Sequence, residues 1–225
     1  MYWFVIISLF LLLFFGGFLG LSFLTHDVIP ILALPIFFIA LAFVLFIIIF
    51  NKLVSLRNQV KNSWSQIDVQ LQRRYDLIPN LVETVKGYMK HEKETLQNVI
   101  EARNKAVSVK NNLSKEGGPA EGASLDELAK AEDFLKRNLT NIFALAENYP
   151  NLYASENIKY LQEELTSTEN KVAFARQAYN DNVMAYNNLQ QQFPSNLIAS
   201  LFGHKPVSLF EVEYEGVRKA PKVDF

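Results

Sequence analysis

The chain opens with two long runs, Tyr2 to Leu24 and Val28 to Phe50, each 23 residues long and each without an Asp, Glu, Lys, Arg or His. At ~1.5 Å of rise per residue, a helix of that length reaches roughly 35 Å, enough to cross the ~30 Å hydrocarbon core of a bilayer. Only Thr25-His26-Asp27 separates the two runs. So short a link predicts a transmembrane helical hairpin with both ends on one side. A secretory signal would place Lys or Arg before the first run and a small-x-small cleavage site after it, and neither is present. Pro30 and Pro35 lie in the first third of the second run, where they kink the helix or delay its start without removing the span. Lys52, Arg57 and Lys61 follow Phe50, while the link offers only His26 and Asp27. The basic flank is therefore expected in the cytoplasm, with the N-terminus beside it and the chain in the inner or plasma membrane.

The residues after Phe50 suffice for one sizeable domain and are few for two, at ~100–200 residues each. With no Cys in the chain, disulfides, thiolate metal sites and a cysteine nucleophile are excluded. The net charge of −1 hides a division: residues 51–110 carry 11 Lys+Arg against 6 Asp+Glu, and residues 111–225 carry 11 against 16. A basic first half and an acidic second half favour docking of one upon the other, within a chain or between chains. A nucleic-acid-binding face would be uniformly basic, so no nucleic-acid partner is expected.

From Leu53 the apolar residues step by threes and fours: Leu56, Val60, Trp64, Ile67, Leu71, Tyr75, Ile78, Val82, Val85 and Met89. This coiled-coil-like seam predicts one rod running from the bilayer to about Leu113, kinked where Pro79 lacks the N–H for the Tyr75 carbonyl and interrupted again at Gly87. Ser114 to Ala123, rich in Gly and containing Pro119, reads as a reversal. Ser124-Leu-Asp-Glu127 reads as a capping box opening a second helix, whose seam is Leu128, Ala131, Leu135, Leu139, Ile142, Ala146 and Tyr149 and whose end is Pro150. After an irregular link at 151–154, Ser155 is the N-cap expected for a third helix. Its seam is Ile158, Leu161, Leu165, Thr168, Val172, Ala175, Tyr179, Asn182, Tyr186, Leu189 and Phe193, stopped by Pro194. A fourth layer would come from the rod folding back near Pro79 or from a neighbouring subunit. In the tail, Asn196 to Gly203 suggests a short helix, Leu209 to Val212 with Tyr214 an extended segment, and Pro221 to Phe225 a terminus that is docked, frayed or captured by a partner. The expected class is all-α: a membrane region over 1–50, an antiparallel three- or four-helix bundle over 51–193 and a tail over 194–225.

Asn51-Lys-Leu-Val-Ser-Leu-Arg-Asn58, the stretch from Trp64 through Arg73-Arg74-Tyr75-Asp76 and Ile78-Pro79-Asn80 to Tyr88, and His91-Glu92 together resemble the LemA family. So do Glu147-Asn-Tyr-Pro-Asn-Leu152, Glu169-Asn170, Arg176-Gln-Ala-Tyr-Asn180, Tyr186-Asn187, Phe193-Pro-Ser-Asn196 and the closing Pro-Lys-Val-Asp-Phe. The resemblance implies a membrane-anchored antiparallel bundle, usually of four helices. It also implies a structural or membrane-organising role, with a magnetosome-associated branch and no enzymatic activity established for the class. The two apolar runs depart from the single run typical of the family.

No catalytic motif and no cofactor site stand out. His26, His91 and His204 lie in separate regions, and the Glu-x-x-His pairs that build carboxylate-bridged metal centres in bundles are missing. Arg73-Arg74 with Asp76, Pro79 and Asn80 is the densest polar cluster. Neighbours ~100° apart on a helix cannot both point inward, so one arginine is expected to pair with a bundle carboxylate such as Glu169 or Asp76. The other should face solvent, headgroups or another subunit. Tyr179-Asn180 and Tyr186-Asn187, seven residues apart, share a face with Arg176 nearby and suggest tyrosines anchoring hydrogen bonds between helices. The function expected is a non-enzymatic membrane scaffold, a homo-oligomer whose partners are the lipid bilayer and other membrane proteins. The alternative is a membrane-bound ligand sensor or hydrolase using the cluster from Arg73 to Asn80. A concave pocket at that cluster would favour the second reading, and a helix-packing layer the first.

Overall fold

The computed structural model describes residues 29–89, 91–115, 118–119 and 124–211, with side chains from 35 onward. The first apolar run, the Thr25-His26-Asp27 link, most of the 114–123 reversal, Val212, Tyr214 and the closing Pro221 to Phe225 lie outside the described residues. Within them the elements are α1 (Ile29–Lys86), α2 (Lys93–Lys115), α3 (Asp126–Ala146), α4 (Pro150–Tyr153), α5 (Glu156–Gln191) and α6 (Ser195–Leu201), with no strand. The class is all-α, as expected.

The chain divides into two compact units between Asn51 and Lys52. In the first, α1 starts at Ile29. Pro30 thus falls in the opening turn, where a missing N–H is tolerated, and the helix continues through Pro35. It is long and apolar enough to cross a membrane. Ile36, Ile39 and Phe43 are each more than 60% exposed, as lipid-facing side chains would be.

In the second unit, every seam position from Leu53 to Met89 is buried. The single rod to Leu113 is corrected: α1 stops at Lys86, and the chain turns through Gly87 and Tyr88, where the Tyr88 and Met89 amides both bond the Val85 carbonyl at 2.9 and 3.0 Å. Helix α2 then runs back along α1, as the ion pair of Lys110 with Asp68 at 3.1 Å shows. The fold-back that supplies the fourth helix is therefore at Gly87, where helix propensity drops by ~1 kcal/mol relative to Ala, and not at Pro79. Phase survives because Val85 and Met89 face one core from either side of the bend. With α3 parallel to α1, and α2 and α5 antiparallel to it, the unit is a four-helix bundle.

Pro79 sits on the exposed side of α1, inside the helix. The Tyr75 carbonyl that it leaves without an N–H accepts from Arg103 Nε of α2 at 3.2 Å. A neighbouring helix thus repairs the proline defect, as buried carbonyls require. Replacing Pro79 by Ala should keep the helix content and shift unfolding by no more than ~1–3 kcal/mol either way. Circular dichroism with a denaturant titration measures both, and loss of the folded domain would show the proline to be obligatory.

Three cap and link expectations are also corrected. The Ser124 hydroxyl accepts from Asp126 N at 3.3 Å, Leu125 is the N-cap and no side-chain cap bond forms, so the capping box is absent. Ser155 does occupy the N-cap of α5, without a side-chain bond. Residues 150–153 are helical: Pro150 at the first position opens α4, because its fixed φ suits a helix start, and α3 has already ended at Ala146. On α5 the core takes Tyr179, Val183 and Tyr186, which leaves Asn182 at the edge, and Phe193 is 81% exposed. The tail helix α6 ends before Gly203, whose φ of +68° suits a residue without Cβ.

Candidate functional site

The middle of the bundle is charged. Arg74, on the buried face of α1, places Nη1 3.0 Å from Glu132 of α3 and 2.9 Å from Glu169 of α5. Lys136 meets the other oxygen of Glu169 at 2.9 Å. The Tyr75 hydroxyl donates to the second oxygen of Glu132. One turn away, Lys110 of α2 is buried, bonds Gln72 Oε1 at 2.9 Å and stands 6.0 Å from the Tyr75 ring centre. All four long helices are joined by this layer. Burial raises the Glu132 carboxyl above its ordinary value against the opposing pull of Arg74 and Tyr75. Burial acts the same way on Glu169, but Arg74 and then Lys136 outweigh it and hold that carboxyl low. The Tyr75 phenol is pushed far up by burial and by Glu132, so it remains a donor.

Arg73 points away from this layer, its side chain 51% exposed and 2.6 Å from Glu164. Asp76 is exposed and accepts from Gln72 Nε2 at 2.8 Å. Asn80 is exposed too, its carbonyl taken by the Thr84 hydroxyl at 2.7 Å. The stretch from Arg73 to Asn80 therefore does not converge. Arg74 and Glu169 come together, while Arg73, Asp76, Pro79 and Asn80 line the outside. Beside Arg74, Glu132, Glu169 and Arg176 there remains a void of about 30 Å³, space for about one water. The larger spaces are surface grooves: about 660 Å³ along α5 near Lys159, Glu163 and Asn170, and about 610 Å³ between α1 and α5 at Val69, Phe174 and Ala178. Among the described residues, no three His, Asp or Glu side chains are grouped to hold a metal ion.

Among the described residues, the hydrogen bonds of the Tyr-Asn pairs of α5 run to the segment after α6, where bonds between helices were expected. They strap the tail. Asn180 accepts from Phe210 N at 2.8 Å and donates to Phe210 O at 3.2 Å; Asn187 does the same with Val207 at 3.0 and 2.9 Å. The Tyr179 hydroxyl donates to Ser208 O at 2.9 Å, and Tyr186 Oη lies 3.0 Å from His204 Nδ1. Burial, followed by the charge of Arg57, holds His204 below its ordinary value. Phe210 is 2% exposed, 6.3 Å from the Trp64 ring and under the Arg176 guanidinium at 5.8 Å.

Glu132 and Lys110 escaped the sequence reading, although the signal was present. Glu132 stands four residues after Leu128 and three before Leu135, and Lys110 four after Ala106 and three before Leu113, all of them buried. A charge in core phase marks a buried pair.

Residues 63–225 match the LemA family. Magnetosome protein MamQ of Magnetospirillum gryphiswaldense is 23% identical over 180 residues, 74% of this chain and 66% of that protein. Magnetosome protein MamQ 2 of Paramagnetospirillum magneticum is 23% identical over 186 residues with the same coverage, so the chain spans just under two thirds of these relatives. Protein LemA of Metamycoplasma hominis is 25% identical over 183 residues, 78% of each chain. With its family match covering most of the chain and all but the first residues of the four-helix bundle, the protein belongs to the LemA family.

Proposed function

We propose that the chain is a non-enzymatic, membrane-anchored helical scaffold that associates laterally with its own copies and organises membrane or partner proteins, its bundle on the cytoplasmic side. The observation that carries this reading is the way the motif-rich polar residues are used. Arg74, Glu132 and Glu169 form a helix-packing layer around a void of about 30 Å³, which has no room for a substrate. A sensor or hydrolase would need a concavity at Arg73 to Asn80, where Arg73, Asp76, Pro79 and Asn80 lie instead on an exposed surface.

The seam from Leu53 to Met89 is buried inside one chain, and Arg73 and Arg74 find acidic partners from the second half there, so self-association calls for another surface. Lateral contact falls to the α1–α5 face, where Val69 is 61% and Phe174 73% exposed. Anchors confine copies to one plane and one orientation, which raises their effective concentration and admits cyclic or lattice-like arrays. Gentle detergent extraction followed by mass measurement should find an oligomer that Phe174→Glu reduces to a monomer. A monomer at every concentration, with crosslinks only within chains, would overturn self-association. A phosphatase fused after Phe225 should be inactive outside the cytoplasm; its activity there would overturn the topology.

A further inference from the structure

Uncovered apolar side chains gather where α5 gives way to α6. Phe193 is 81% exposed, Leu197 62% and Leu201 75%. Helix α6 buries Ser195 and Ala199 and turns outward Leu197 and Leu201, which are four residues apart and so share a face. Large apolar groups clustered at a surface mark a place that something apolar covers.

The position of the cluster in the bundle says what that is. The Trp64 ring of α1 lies 5.9 Å from the Tyr179 ring of antiparallel α5. From Trp64 back to Lys52, and from Tyr179 on to Gln191, the distance is about 18 Å of helix in each case, at ~1.5 Å per residue. Helix α5 therefore ends level with Lys52, which is joined through Asn51 to the apolar run ending at Phe50. Tyr186 Oη lies 3.0 Å from His204 Nδ1, and Gln190 Nε2 donates to His204 O at 3.4 Å, which brings the segment after α6 to the same level. Charge points the same way. Residues 51–67 contain Lys52, Arg57 and Lys61 and residues 182–210 contain Lys205, and neither stretch contains an Asp or Glu.

We infer that Phe193, Leu197 and Leu201 form a second, interfacial membrane contact. They sink shallowly into the bilayer surface, while the exposed Lys52 and Lys205 meet anionic headgroups. An apolar face flanked by basic residues at a membrane junction is the pattern that settles at a bilayer interface. The inference rests on the membrane anchoring proposed above and adds a contact made by the bundle itself. Its consequence is that the C-terminal end of α5 is held at the bilayer surface as well as the N-terminal entry of the bundle.

Because the chain has no Cys, single nitroxide labels test this on the full protein in vesicles of phosphatidylethanolamine and phosphatidylglycerol. Labels at Leu197→Cys and Leu201→Cys should be relaxed more by membrane-dissolved oxygen than by an aqueous nickel chelate. A label at Tyr153→Cys, 55% exposed on α4, should show the reverse, and one at Ile39→Cys should report the membrane interior. If Ile39→Cys reports the interior while Leu197→Cys and Leu201→Cys match Tyr153→Cys, the interfacial contact is wrong and the anchor stands. If Ile39→Cys also reports water, both fall. Labels at 197 and 201 shielded from both relaxants would mean that a second copy covers the patch, and would overturn the lipid assignment. The double variant Leu197→Asp, Leu201→Asp, altered only at exposed positions, should keep the helix content. A label at Phe193→Cys in that background should lose its preference for oxygen.

Discussion

Replacing Glu132 by Leu should destabilise the bundle by ~3 kcal/mol, the lower end of the range for breaking a buried ion pair, because Glu169 remains as a second partner for Arg74. The loss arises from what stays behind. Arg74, with a side chain 5% exposed, loses one of its two carboxylates, and the Tyr75 hydroxyl loses its acceptor. The paired variant Arg74→Met, Glu132→Leu removes both buried charges and should recover most of the stability, since neither ion then has to be desolvated. Denaturant unfolding of the detergent-solubilised chain completes the cycle, and additive losses would show that the two residues do not act as a pair. The pH dependence follows from the opposite shifts of the two carboxyls. The raised Glu132 keeps its proton in the folded state above the pH at which the unfolded chain loses it, so this residue lowers stability as pH rises through that window. Glu169 is depressed, so its contribution is present above the ordinary glutamate range and is lost as pH falls below it. Glu132→Gln should remove the first slope and leave the second.

Truncating Phe210 to Ala should cost ~3–4 kcal/mol, as expected when a fully buried aromatic leaves a cavity. Its ring fills the space between Trp64 and Arg176, and its backbone is held on both sides by Asn180. The segment 204–211 should then become a site of rapid proteolysis while the four long helices persist. An unchanged digestion pattern would mean that the Asn clamps hold the tail without the ring.

The α1 seam was legible because a buried helix face repeats every three to four residues whatever it packs against, and each seam position from Leu53 to Val85, with Met89 just past the helix, is in the core. The same property hid the turn at Gly87, since a bend that keeps Val85 and Met89 facing one core leaves the period intact. Competing local geometry accompanies the absent capping box: Ser124 accepts from Asp126 N, two residues on, and not from the amide of Glu127. That one of Arg73 and Arg74 turns inward follows from helix geometry, but the choice of Arg74, and of Glu132 beside Glu169, depends on which residues α3 brings opposite. The partner of the Tyr-Asn pairs was out of reach for a similar reason. The seven-residue spacing establishes a shared face, whereas the covering segment comes from beyond a second helix and Gly203.

That spacing has a metric consequence. Seven residues of α-helix advance ~10.5 Å, and three residues of extended chain advance ~10 Å. The interval from Asn180 to Asn187 therefore matches that from Phe210 back to Val207, and each side-chain amide presents one donor and one acceptor to a backbone C=O and N–H of that segment. A helix serves here as a ruler for a non-helical peptide. Such a ruler is indifferent to the side chains at Ser208 and Leu209, whose backbone merely bridges the two marks, but it is intolerant of length. One residue added or removed between Val207 and Phe210 would leave one amide without its match, and the segment would be held at one mark in place of two.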